Sequence, residues 1–98
     1  MLNYLQNAAA LIQAKLPVGT SVPDDADGLF LLYAVLMRAK GADVRAADVH
    51  DAWGAWMTQT DPEHDSLVPF DQLSSATQAE DSPFLIAIRR AAAESTTG

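Results

Sequence analysis

The fold of this chain is decided by residues 29–37, LFLLYAVLM, the longest apolar run in the sequence. The run is nine residues long, far below the roughly 20 that a helix needs to cross a bilayer, so it predicts a buried helix. A helix that is apolar almost all the way round is covered on several sides. We therefore expect a central helix over about residues 25–40, with Arg38 and Lys40 in its last turn and Gly41 ending it.

Three further helical segments are predicted around this central helix. Apolar residues at helical spacing predict a first helix over about residues 2–16 and a third over about residues 46–57. A last helical segment, which can be broken in two, spans about residues 74–93. Its second part is expected to begin with Ser82 as the cap and Pro83 at the first helical position. No strand pattern is present.

The segments between the helices have two notable features. The acids Asp24, Asp25 and Asp27 crowd the start of the central helix, where carboxylates are expected to act as caps. Residues 59–73 contain two prolines and form a long irregular segment. In a domain this small, such a segment is more often ordered structure than slack chain, so we expect an ordered loop.

These elements predict an all-α fold. With 98 residues, the chain has room for one hydrophobic core and is too short for two. We expect a single compact domain of four to five helices over residues 1–93. Residues 94–98 are expected to be a disordered tail.

The composition excludes several classes of function. Thirteen acidic and six basic residues give a formal net charge of −7, which disfavours nucleic-acid binding because phosphate contacts need several lysines or arginines. There is no cysteine, and two histidines are too few for a multi-ligand metal centre, so no metal or other cofactor is predicted. The N-terminus lacks the pattern of a secretory signal, which favours a cytoplasmic protein.

Two short signatures lie close together in the second half of the chain. The first is residues 49–53, VHDAW, and the second is residues 64–73, HDSLVPFDQL. Together they resemble the ryanodine-receptor (RyR) repeat family, in which a helix with an Ile/Val-His-x-x-Trp pattern precedes a His-Pro-x-Leu-Val-Pro-Tyr-x-x-Leu segment. His50 and Trp53 match the first pattern, and His64 begins the match to the second.

The resemblance covers about residues 44–93, with Gln78 and Asp81 where the family's polar stretch leads into its last helix. It implies an RyR-repeat-like C-terminal half and a role in binding a nucleotide-like small molecule or a protein. The sequence departs from the family at Asp65, which replaces a proline, and in the short loop before His64. The whole chain also resembles short proteins of actinobacteria and their phages, which implies a complete protein in a bacterial or phage-infected cytoplasm.

Four side chains are candidate ligand- or partner-binding residues, because they could converge in one cleft: His50, Trp53, Trp56 and His64. Each also has a structural explanation. His50 is favoured as a surface or half-buried residue hydrogen-bonded to the loop at residues 67–69. Trp53 is favoured as a core residue. Trp56 stays open between core and contact surface, since two indoles three positions apart cannot both face the centre of so small a fold.

The sequence gives less support to more specialised functions. His50 and Asp51 alone are too few ligands for a metal-dependent phosphohydrolase. Residues 61–65 begin like a calcium-binding EF-hand loop, but Ser66 and Gln72 stand where that loop needs glycine and glutamate. The second and third helices share only the topology of a DNA-binding helix-turn-helix, because the third helix lacks the basic and amide side chains that read bases. No nucleophile elbow or glycine-rich phosphate loop is present.

The sequence therefore predicts a non-enzymatic binding or interaction module without catalytic residues. A protein partner or self-association is expected, and a small-molecule ligand is compatible with the same side chains. Neither nucleic acid nor a membrane is an expected partner. The alternative is a homo-oligomeric or partner-docking accessory protein whose exposed apolar helix face is the interface.

Overall fold

The computed structural model describes residues 1–96, which contain five α-helices and two 3₁₀ turns. The α-helices are α1 (Tyr4–Ala14), α2 (Asp27–Lys40), α3 (Ala46–Thr60), α4 (Ser75–Ala79) and α5 (Ser82–Thr96). The 3₁₀ turns, Gly41–Asp43 and Phe70–Gln72, precede α3 and α4. No strand occurs within residues 1–96, so the all-α prediction is confirmed. None of the described helices is long and apolar enough to span a membrane.

α2 lies at the centre of the molecule and packs against α1, α3 and α5. Its buried side chains are Leu29, Phe30, Tyr33, Ala34 and Met37. The rest of the core comes from the other helices and the connections beside them: Ala9, Ile12, Ala26, Val44, Val49, Ala87, Ile88, Ala91 and Ala92. The Cα radius of gyration is 13.0 Å, the value of a single compact domain of about 100 residues. The predicted central helix is thereby confirmed.

One strip of α2 is not covered. Leu31 is 38 % exposed and Val35 is 51 % exposed, and the two lie one turn apart on the same face. The other apolar side chains of residues 29–37 are buried or half-buried. The prediction of a helix covered almost all round therefore holds for most of α2 and is wrong for this strip.

The two ends of α2 differ in how well the sequence predicted them. Asp24 and Asp25 precede the helix and Asp27 begins it, but Ala26 occupies the N-cap position without a side-chain hydrogen bond. The predicted capping by these acids is therefore wrong, although the charge of Asp27 is favourable near the positive end of the helix dipole. Gly41 ends α2 as predicted, with a φ of 57° that favours glycine.

The last helical segment is broken in two, between α4 and α5. α5 begins at Ser82 and has Pro83 at its second position, one place later in the helix than predicted. The carbonyl of Asp81 accepts the first hydrogen bond of the helix, from the Leu85 N–H at 3.0 Å. Asp81 therefore stands at the cap position that the sequence assigned to Ser82.

α5 is also longer than predicted. It continues to Thr96, so residues 94–96 are helical, whereas the sequence predicted a disordered tail over residues 94–98. Residues 97–98 lie outside the described residues. For those two, the disordered tail stays a prediction.

Arg89 connects α5 to the turn before α3. Its Nε and Nη2 both donate to the backbone carbonyl of Val44, at 3.0 and 2.8 Å, and Val44 is 0 % exposed. Replacing Arg89 by alanine leaves this carbonyl without its donors. We expect the free energy of unfolding, measured by urea titration, to fall by about 1–2 kcal/mol.

Arg90 is the matched control for Arg89. It is the next residue of α5 and makes one longer hydrogen bond, from Nη1 to the Lys15 carbonyl at 3.3 Å, at an exposed position. Arg90→Ala is expected to cost less than about 0.5 kcal/mol. Equal losses from the two substitutions would show that the Val44 carbonyl does not depend on Arg89.

Candidate functional site

His50 holds α3 against the loop that follows it. Its Nε2 lies 2.7 Å from the carbonyl oxygen of Val68. A carbonyl only accepts hydrogen bonds, so Nε2 carries the proton. The hydrogen bond to the loop that the sequence favoured is therefore present, and His50, at 5 % exposed, is more buried than predicted.

Trp53 lies between the two histidine rings. Its indole stacks on His50 with ring centroids 5.5 Å apart and an interplanar angle of 21°. The ring of His64 is nearly perpendicular to the indole, at 82°, with centroids 5.1 Å apart. Nδ1 of His64 accepts a hydrogen bond from the Ser66 N–H at 3.0 Å, which holds that ring in place. The structure thus brings together three of the four candidate site residues.

A cavity of about 460 Å³ lies beside this aromatic stack. It is lined by the connector between α1 and α2, by α2, by α3, by the loop after α3, and by α4 with the start of α5, and it is open to solvent on one side. Its aromatic and most polar lining side chains include Tyr33, His50, Trp53, His64, Asp81 and Phe84. No lysine or arginine is among the described lining residues. The volume lies within the range of about 300–1,000 Å³ that is typical of small-molecule pockets.

The carboxylate of Asp81 is the most unusual polar group of the cavity. Its Oδ2 lies 3.9 Å from Nδ1 of His50. This oxygen is buried and makes no hydrogen bond with any residue from 1 to 96. Burial raises the pKa of Asp81 from 3.8 to about 6; the neighbouring His50 acts in the opposite direction and Glu80 in the same one. A buried carboxylate oxygen without a donor costs folding free energy.

Tyr33 brings α2 into the wall of the cavity. Its side chain is 1 % exposed, and its ring centroid lies 5.7 Å from those of both Phe30 and Phe84. Burial raises the pKa of the Tyr33 phenol, and the charge of Asp81 acts in the same direction. The hydroxyl therefore stays protonated at physiological pH, as a group that can both donate and accept a hydrogen bond.

Trp56 is separate from this group. It is not among the residues that line the cavity, and it is half-buried. A Cβ atom placed on Gly28 would lie 3.5 Å from Cδ1 of Trp56, so the indole covers the first turn of α2. Trp56 packs α3 against α2, whereas the half-buried Trp53 packs against the edge of the core.

Sequence comparison assigns the chain to a family. Residues 3–93 match the family described as Domain of unknown function (DUF7701). The chain belongs to the DUF7701 family. No curated protein and no solved structure is significantly similar to it.

Membership of DUF7701 corrects the resemblance to the RyR repeat. That resemblance is wrong, because the family matched over nearly the whole chain is DUF7701 and not the RyR repeat. The residues that carried it have packing roles in this DUF7701 domain. His50 and Trp53 stack and bind the loop, and Leu67 lies over Gly54, where a Cβ would meet its Cδ2 at 3.6 Å. Side chains that make such packing contacts can match the sequence pattern of an unrelated family.

Sequence reasoning missed two side chains of the DUF7701 cavity. Tyr33 was included in the apolar run of residues 29–37, although it is the one residue of that run with a hydroxyl group. That hydroxyl was the available signal. Asp81 enters the sequence analysis only as a residue of the polar stretch before the last helix, and nothing in the sequence distinguishes it from its neighbour Glu80.

The cavity offers hydrogen-bonding groups, aromatic rings and, at Asp81, a carboxyl whose pKa is raised to about 6. In the described part of the chain, no group of three or more His, Cys, Asp or Glu side chains could hold a metal ion. The carboxylate of Asp81, the imidazole of His64 and the hydroxyl of Tyr33 stand among aromatic rings. A few polar groups within mostly apolar walls are typical of a site that orients a small molecule.

Proposed function

We propose that this DUF7701 domain is a non-enzymatic binding module that takes a small molecule in the cavity beside Trp53. The observation that carries the proposal is the cavity itself, about 460 Å³ in volume and built from five segments of the chain. Its size and its mixture of aromatic and polar groups are those of ligand pockets. The buried Oδ2 of Asp81 adds support, since features that lower stability are often retained for function.

The roles of the two histidines support a binding rather than a catalytic function. Nε2 of His50 is bonded to Val68, and its Nδ1 faces Asp81. His64 uses Nδ1 to accept the Ser66 N–H. Among residues 1–96, no serine or threonine hydroxyl is hydrogen-bonded to either ring, so the nucleophile–base pair of covalent catalysis has no counterpart.

The charge of the cavity limits the class of ligand. The expectation of a nucleotide-like ligand came from a resemblance that is wrong, so the ligand has to be argued from the lining side chains. Glu80 and Asp81 both line the cavity, without a lysine or arginine among the described lining residues, in a chain of net charge −7. Such a surface disfavours phosphate groups. We restrict the proposal to small ring-bearing molecules without phosphate.

Protein-observed NMR with benzyl alcohol, indole and 2-phenylethylammonium as probes tests this function. We expect at least one probe to shift the resonances of cavity residues, such as the Trp53 indole N–H, in a saturable way in the millimolar range. Ring-bearing fragments are suitable because aromatic contacts supply affinity without a charge. No saturable shifts with any of the three, or shifts confined to the opposite side of the domain, would refute the proposal.

Two tryptophan substitutions give this titration a matched pair of variants. Ser21 is exposed and lines the cavity, so Ser21→Trp obstructs the cavity without removing a core contact. Gln13 is exposed on α1 and does not line the cavity. We expect Ser21→Trp to weaken probe binding by about tenfold or more and Gln13→Trp to leave it unchanged. Binding that survives in Ser21→Trp would place the probe outside the cavity.

Self-association, the alternative function, has less support from the structure than small-molecule binding has. The large exposed apolar side chains of the helices are Tyr4 on α1, Leu31 and Val35 on α2, and Ile86 on α5. A few exposed apolar side chains, such as the Leu31–Val35 strip, are normal on protein surfaces and do not by themselves define an interface. Small-molecule binding is therefore the better supported function.

A further inference from the structure

We infer that the ligand of the cavity is a compact organic cation, a protonated amine attached to a ring, whose N–H groups bind Asp81 and His50. The inference rests on the proposed function, because it names the chemical class of ligand for the same cavity. It follows from how donors and acceptors are arranged between α3 and the start of α5.

The loop after α3 determines which nitrogen of His50 is an acceptor. Nε2–H donates to the Val68 carbonyl at 2.7 Å, so in the neutral ring Nδ1 carries the lone pair. That nitrogen lies 3.9 Å from Oδ2 of Asp81, too far for a hydrogen bond between them. While the His50 ring is neutral, two acceptors therefore face each other across a gap. An ammonium group, which has several N–H donors, can satisfy both.

The environment of Asp81 favours a charged donor over a neutral one. Its side chain is 13 % exposed, and Oδ2 has no hydrogen-bond donor among the described residues. Taking a carboxylate out of water is costly, and a charge-assisted hydrogen bond offsets that cost better than a neutral one. The other titratable groups that line the cavity are Tyr33, His50, His64 and Glu80. None of them supplies a permanent positive charge that would compete with the ligand.

The aromatic walls suit both parts of such a ligand. Trp53, Tyr33 and Phe84 line the cavity. The faces of these rings attract cations and pack against other rings. The volume of about 460 Å³ lies towards the lower end of the range for small-molecule pockets, which suits a compact ligand. A metal ion is a poorer occupant, because no group of three or more metal-binding side chains exists among the described residues.

Three probes that share a ring and a short chain but differ in charge test the inference: 2-phenylethylammonium, 2-phenylethanol and 3-phenylpropionate. In NMR titrations of the full chain at about pH 7.5, the ammonium is expected to bind at least about tenfold more tightly than the alcohol. The propionate is expected not to bind. At about pH 5, where Asp81 is largely protonated in the free protein, the preference for the ammonium should shrink.

Asp81→Asn separates the role of the charge from the role of the cavity. We expect this variant to lose the preference and to bind the ammonium no more tightly than the alcohol. Equal binding of ammonium and alcohol to the wild type overturns the inference and leaves the proposed function standing. An ammonium preference that persists in Asp81→Asn also overturns it. If none of these three probes binds while benzyl alcohol or indole does, the inference fails and the proposed function stands; if benzyl alcohol and indole fail as well, both fail.

Discussion

Replacing His50 by alanine is expected to lower the free energy of unfolding by about 2–4 kcal/mol. The substitution removes the hydrogen bond to the Val68 carbonyl and leaves that carbonyl without its donor. It also removes the stacking on Trp53 and the contact with Phe70, whose ring centroid lies 6.2 Å from that of His50. One side chain thus connects α3, the loop and the 3₁₀ turn before α4.

Urea unfolding followed by far-ultraviolet circular dichroism measures this loss. Tryptophan fluorescence is unsuitable, because removal of His50 itself changes the surroundings of Trp53. Amide hydrogen exchange gives a second readout: residues 61–69 should exchange faster in His50→Ala, while α1 exchanges as in the wild type. His50→Gln is the conservative variant, because the glutamine amide can donate to Val68, and it should recover part of the stability. Equal losses from the two variants would contradict the importance of this hydrogen bond.

Replacing Asp81 by asparagine is expected to stabilise the free protein above about pH 6, by on the order of 2 kcal/mol. Burial raises the pKa of Asp81 from 3.8 to about 6, so the folded state holds the proton more tightly than the unfolded chain does. As the pH rises from about 4 to about 6, the unfolded chain loses this proton first and stability falls. Above that range the loss is complete and constant. Asparagine has a similar shape and no charge, and it is well tolerated before a helix.

Thermal unfolding of both proteins between about pH 4 and pH 8 checks this result. The difference in Tm should be near zero at about pH 4 and grow to roughly 10 °C above about pH 6.5. Comparison of the two curves isolates Asp81 from the other acids, which titrate in both proteins. Glu80→Gln is the matched control: Glu80 is exposed, and its loss should change stability by less than about 0.5 kcal/mol. An Asp81→Asn protein less stable than wild type at every pH would refute the account of Asp81.

Together with the probe titrations, these two substitutions distinguish two roles in the same cavity. His50→Ala should lower both the stability of the fold and the affinity for the probes, because the stacked rings of His50 and Trp53 line the cavity together. Asp81→Asn should raise the stability of the fold and remove the preference for a cationic probe. A residue whose loss stabilises the free protein but impairs binding is retained for function and not for packing.

The helices could be predicted from the sequence because their signals are local. The apolar run of residues 29–37 predicted the central helix, Gly41 its end, and Ser82–Pro83 the break in the last segment. The length of α5 could not be predicted in this way. Ala91 and Ala92 are buried, and Lys15 of the α1 C-cap forms an ion pair with Glu94. Contacts with another helix therefore support the last turns, which local sequence alone would leave frayed.

The candidate site was predictable only where its members are close in sequence. His50 and Trp53 lie one turn apart on α3, and His64 follows in the loop that returns to that helix. Trp56 shares the helix with Trp53 but packs towards α2. Both indoles are half-buried, so neither tryptophan lies wholly in the core or wholly on the surface.

By itself, the sequence predicted an all-α fold for this DUF7701 domain, with α2 at its centre, and favoured a hydrogen bond from His50 to the loop. Only the tertiary structure decided that Tyr33, His50 and Asp81, from three different elements, surround one cavity. Helical periodicity comes from hydrogen bonds and side-chain contacts between residues three or four positions apart, so it can be read locally. Which faces of separate helices meet depends on how the whole core packs. The pKa of Asp81 is raised because the side chain is buried where these elements meet. No local pattern of residues predicts that burial.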